Sequence, residues 1–188
     1  DPAAAERLTR LQADVATQPA DAARVIAGLV RMGQGAQAAP WFALLPEATR
    51  KDEDVQRAVA EALLAGRDWP ALEAHLRAAS WKRQEYLRQA LLAFTYRAQG
   101  RSADFTEAWR LAVIGAGADV RQTNALLARV DEWKWVTERY TLVWKLFALV
   151  PANESVRRVL LAWEQRQGNT ANLNRLFARI VEVDPSDN

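Results

Sequence analysis

Apolar residues recur at a spacing of 34 along this chain, at Ala58, Leu92, Leu126 and Leu160. Each is followed by a second apolar residue, Val59, Ala93, Leu127 and Leu161. A fixed period of this length belongs to a helix–turn–helix unit that stacks on its neighbours to bury its apolar face. This recurrence constrains the fold more than any local motif does. It implies an array that works through its surface, and it names no partner.

Composition removes several alternatives. Half of the 188 residues are hydrophobic, which excludes a disordered chain. No run approaches the ~18 consecutive apolar residues of a membrane span. Asp1 to Arg10 lacks the basic start and apolar core of a secretory signal. Because the chain opens on Asp and its only methionine is Met32, it is expected to be a piece of a longer protein. Cysteine is absent, which excludes disulfides and cysteine–zinc sites and fits cytosol and periplasm alike. Arginine outnumbers lysine 21 to 4, yet 25 basic residues face 23 acidic ones for a net charge of +2. Abundant Arg and Ala are more simply explained by a GC-rich genome than by selection for phosphate binding, and the basic stripe of a nucleic-acid binder is missing.

The local pattern is apolar residues three and four apart, interrupted by Gly or Pro, which predicts amphipathic helices with short connections. Helices are expected over 3–17, 22–32 with Asp21 as cap, and 37–45, stopped by Pro46. The next pair runs from the acidic start Asp52-Glu53-Asp54 to Ala65, turns at Gly66-Arg67-Asp68, and resumes over 69–79. Pro70 suits a first helical turn. Later pairs are expected at 83–99 with 104–114, 120–130 with 133–149, and 154–167 with 171–183. Their internal turns fall at Gly100-Arg101-Ser102, Asp131-Glu132 and Gly168-Asn169.

The stretch from Leu173 through Phe177 and Ile180 to Asp184-Pro185 resembles the second helix and closing turn of a tetratricopeptide repeat. Val150-Pro151-Ala152-Asn153, 34 residues earlier, resembles the same closing turn. Gly66 to Leu76 and Gly100 to Trp109 are similar to the family's inter-helix turn, where an aromatic precedes a packed Ala or Leu. The resemblance covers residues 20 to 188. It departs where the small residue after the first-helix Leu is kept as Ala93 but replaced by Val59, Leu127 and Leu161.

The resemblance implies an all-α chain folded as a right-handed superhelix, an α-solenoid of about five antiparallel helix pairs. One domain over 1–188 is expected, with units near 3–46, 52–80, 83–117, 120–152 and 154–185.

Motifs that imitate chemistry are better explained by helix ends. Leu111 to Val120 carries Gly115 and Gly117 in the manner of a dinucleotide-binding turn. However, Val120 stands where the third glycine belongs, and no strand precedes it. His75 is the only histidine and is expected on the exposed face of its helix. Asp52 and Asp54, like Asp131 and Glu132, fall where capping explains them. Eight tryptophans are the compositional oddity. Most read as packing wedges, and Trp163 is the one expected to reach a surface. No catalytic grouping, cofactor or metal is expected.

In the tetratricopeptide arrangement, first helices line the concave side. By helical phase that side carries Gln56, Ala60, Ala90, Phe94, Arg97, Arg121, Asn124, Ala128, Arg158, Ala162 and Gln165. The candidate partner-binding residues are Phe94, Arg97, Arg121, Asn124, Arg158 and Gln165. This mixture favours an acidic protein or peptide. Family members that grip a terminal carboxylate use a Lys, Asn and Arg set; Asn124 and Arg158 match its types, but the set is incomplete. The expected function is a non-catalytic interaction or scaffold module. A structural spacer or dimerisation unit is the alternative, followed by single-stranded RNA binding.

Overall fold

Helix starts are fixed by side chains that accept from free backbone N–H groups. Asp52 Oδ1 takes the N–H groups of Asp54 and Val55 at 3.0 and 3.2 Å. Asp68 takes that of Ala71, Asp119 those of Arg121 and Gln122, and Asn153 that of Val156. In the computed structural model, which describes the backbone of residues 2–183 and the side chains of residues 6–182, every regular element is helical. The first six helices are α1 (Pro2–Val15), α2 (Pro19–Arg31), α3 (Ala38–Leu44), α4 (Glu47–Arg50), α5 (Glu53–Gly66) and α6 (Trp69–Ala78). They are followed by α7 (Glu85–Ala98), α8 (Ser102–Gly115), α9 (Val120–Glu132), α10 (Val136–Leu149), α11 (Glu154–Gln167) and α12 (Thr170–Val183).

The 34-residue period reappears in the backbone. Gly33, Arg67, Gly100, Lys134 and Gly168 all have positive φ. They lie in the turns joining α2 to α3, α5 to α6, α7 to α8, α9 to α10 and α11 to α12. Arg67 and Lys134 hold this conformation against the penalty of ~1 kcal/mol that a Cβ brings to it. The four period-marking residues Ala58, Leu92, Leu126 and Leu160 are all buried. The expected closing turn at Asp184-Pro185 lies outside the described residues.

The chain divides into two units, residues 1–112 and 113–188. In the first, Ala22 and Ile26 of α2 pack with Trp41 of α3, Leu45, and Val55 and Val59 of α5. In the second, Val143 and Phe147 of α10 meet Leu160 of α11 and Leu176 and Ile180 of α12.

Four expectations are corrected. Helix α2 starts at Pro19, so Asp21 lies in its first turn rather than at its cap. A one-turn helix, α4, follows Pro46. Helix α9 continues through Glu132, and the turn is made by Trp133, Lys134 and Trp135, with the Trp135 N–H closing onto the Val130 carbonyl. Asp131 and Glu132 are therefore helical and pair with Arg139 and Arg129 at 2.7 and 3.2 Å. Finally, His75 is half-buried rather than exposed. Its Nε2 lies 2.8 Å from the Gln56 carbonyl, and its ring meets the Phe42 ring edge-on at 5.4 Å. A carbonyl only accepts, so Nε2 carries the proton.

The burial of His75 predicts a pH dependence. Desolvation pulls its pKa below the ordinary 6.5, opposed by the Gln56 hydrogen bond. The unfolded chain binds a proton below about 6.5, and the folded chain only at lower pH. Stability is thus full above that value and declines as pH falls toward the depressed folded pKa. His75 is the only histidine. The urea midpoint should therefore drop between ~pH 7 and ~pH 5.5 in the wild type, with that part of the drop missing in His75→Gln. Identical profiles for the two proteins would contradict the buried placement.

Candidate functional site

The core contacts of α10 and α12 turn a second pair of faces toward each other. On α10 these are Trp144, Lys145, Phe147 and Ala148; on α12 they are Arg175, Ala178, Arg179 and Glu182. Together they line an open groove of about 570 Å³. The residues fall at i, i+3, i+4 and i+7 on α12, one face of a helix. Alanines at 148 and 178 leave room above the aromatic floor.

The charges in this groove are unevenly matched. Arg179 pairs with Glu182 at 2.6 Å. Among the described residues Lys145 has no carboxylate; its Nζ donates to the Val113 carbonyl at 2.6 Å, and burial pulls its pKa below the usual lysine value. The Arg175 guanidinium lies over the Trp144 ring, 5.3 Å from its centroid. Among the described residues, Arg175 makes no ion pair.

Trp144 is held from beneath. Its Nε1–H donates to Glu164 Oε1 at 3.2 Å, and the Tyr140 hydroxyl donates to the same oxygen. The Asn172 amide reaches Tyr140 Oη at 2.9 Å and Glu164 Oε2 at 3.3 Å. Glu164 is 1% exposed, and all three donors are neutral. Burial, followed by the bond to this carboxylate, raises the Tyr140 pKa. Tyr140 also stacks on Trp163 at 5.3 Å and 29°, so Trp163 is tied into this cluster and half-buried. A shallower cavity of about 560 Å³ opens between α10 and α11 beside Tyr140, Trp163 and Gln167.

The first unit has a smaller groove of about 410 Å³ between α2 and α5. Two of its arginines are neutralised locally, Arg24 by Asp21 at 2.7 Å and Arg57 by Asp54 at 3.3 Å.

None of the six partner-binding candidates lines the α10–α12 groove. Phe94, on α7, is half-buried 5.9 Å from Trp69, and Arg97 lies over Phe105 at 5.1 Å. Arg121 and Asn124 are exposed on α9, and Arg158 and Gln165 on α11. No hydrogen bond or ion pair joins the side chains of these four. Three other positions assigned to the same face are wholly or partly buried. Ala60 and Ala90 are fully buried, and Gln56 bonds inward to Trp81 and the Arg50 carbonyl. Lys145, Arg175 and Arg179 went unnoticed in the sequence because they sit on second helices, which the repeat pattern assigns to packing. A usable signal was present: cations at 175 and 179 flank Ala178 on the α12 face opposite Phe177 and Val181.

The class established by this fold is an all-helical protein in which no described helix is long and apolar enough to cross a membrane. No family model, curated protein or solved structure matches the chain.

Proposed function

We propose that the chain is a non-catalytic protein-interaction module, built of divergent tetratricopeptide-like pairs of an α-solenoid, that holds a segment of another protein between α10 and α12. The repeat reading is supported by the 34-residue period and by left-handed turn residues that keep nearly the same spacing. One observation carries the binding reading: beside Trp144 and the exposed Ala148 and Ala178 lie two cations that no carboxylate among the described residues neutralises. Concave sites that set charged groups beside apolar side chains are where proteins bind ligands and segments.

A spacer or self-association role is the second reading. It is favoured by Phe177 and Val181, one helical turn apart on α12 and exposed to 49% and 38%.

A photo-crosslinking amino acid placed at Ala178, Asn124 or Ala74 in the source cell tests these readings. Ala178 lines the groove, Asn124 marks the first-helix face, and Ala74 is an exposed control on α6. Discrete adducts with another protein at Ala178, missing at Ala74, are expected. Adducts confined to Asn124 would move the site to the first helices. Adducts of the chain with itself, or none, would overturn the interaction reading.

A further inference from the structure

We infer that the occupant of the α10–α12 groove is an acidic segment. It would place a carboxylate against Lys145 and Arg175 and an apolar side chain over Ala148 and Ala178. This rests on the interaction reading above and adds the chemistry of the partner. Among the described residues, three cations and one carboxylate line the groove, and that carboxylate, Glu182, is already taken by Arg179. The remaining two differ in a useful way. Lys145 is partly desolvated and, among the described residues, bonded to the Val113 carbonyl alone, so an incoming carboxylate would gain a charge-assisted bond. Arg175 lies over an indole, a cation–π contact that favours one placement of its fork of donors before any ligand arrives. Little ordering entropy is then left for binding to offset.

The same geometry disfavours nucleic acid. Strand binding uses free aromatic faces for stacking and a track of cations along the backbone. Here one face of Trp144 is covered by Arg175, and its ring is met edge-on by Phe147 and Tyr140. The groove between the cations is walled by alanine. An amphipathic helix with an acidic residue one turn from an aliphatic or aromatic one fits this pattern.

The test is selection from a random peptide display library on the intact chain, followed by titration of the enriched peptides. Enriched sequences should pair Asp or Glu with a large apolar residue, and their affinity should fall as salt rises. Arg175→Glu should weaken them about tenfold, and Lys145→Gln should weaken them as well. Changing the peptide's acid to Lys should restore binding to Arg175→Glu, a rescue that a folding defect cannot produce. Enriched peptides without acids, or indifferent to both variants, would overturn this inference and leave the interaction reading intact. Absence of any enrichment would remove both. An oligothymidylate that binds more tightly than the peptides and responds to the same variants would replace the acidic segment with nucleic acid.

Discussion

Trp81→Ala should destabilise the first unit by about 4 kcal/mol, among the largest losses that a single substitution produces here. Trp81 stands in the connection between α6 and α7 and is 0% exposed. Truncation removes the buried indole and leaves a void that the surrounding helices can only partly close. It also removes an organising contact. The indole Nε1–H donates to Gln56 Oε1 at 2.9 Å, while Gln56 Nε2 holds the Arg50 carbonyl at 3.0 Å and its own carbonyl receives His75. Gln56 thus ties the end of α4, the start of α5, α6 and the α6–α7 connection together.

Trp81→Phe separates volume from polarity. It keeps most of the apolar bulk but leaves Gln56 Oε1 without its donor, at a cost of about 1–2 kcal/mol. Urea unfolding followed by circular dichroism checks both variants. An alanine variant within about 1 kcal/mol of the wild type would contradict the central placement of Trp81.

How much of this was legible depends on whether a residue's own chemistry dictates its conformation. Gly33, Gly100 and Gly168 announce their turns, because glycine adopts positive φ at little penalty. Arg67 and Lys134 adopt the same backbone without any such signal. The neighbouring Gly66 marks the first of these turns, but nothing near Lys134 does so, and the acidic pair Asp131-Glu132 points to an α9–α10 turn earlier than the one at Trp133 to Trp135. Helical phase worked where a helix buries one stripe. It failed on α5 and α7, which bury Val55, Ala58, Val59 and Ala60, and Leu87 with Ala90 to Ala93. Small residues such as Ala60 and Ala90 then look like groove lining while being core. His75 was misplaced for a related reason, since Phe42, far away in sequence, covers it. The α10–α12 groove joins positions about 30 residues apart on two second helices, a pairing that only tertiary packing makes.

Glu164→Ala should destabilise the second unit by about 3 kcal/mol, against about 1 kcal/mol for Glu164→Gln. The carboxylate is buried without an ion pair among the described residues, and three neutral donors hold it: Tyr140 Oη, Trp144 Nε1 and Asn172 Nδ2. Alanine leaves the Trp144 N–H and the Tyr140 hydroxyl with no acceptor in a partly dry site, and each such group costs on the order of 1–3 kcal/mol. Glutamine keeps one carbonyl oxygen for both and removes a charge that is expensive to bury, so its two effects partly cancel. Its amide then faces that of Asn172, donor against donor, which accounts for the remaining loss. Tyr140→Phe should fall between these two variants, since it removes one of the three donors without adding a void. Because Trp144 forms the groove floor and carries Arg175, Glu164→Ala should also weaken any selected peptide severalfold, while Glu164→Gln should leave its binding near wild type. Urea midpoints and peptide titrations on the three variants give the comparison. Equal losses for alanine and glutamine would show that Tyr140 and Trp144 find other acceptors, and that the carboxylate does not set the position of the groove floor.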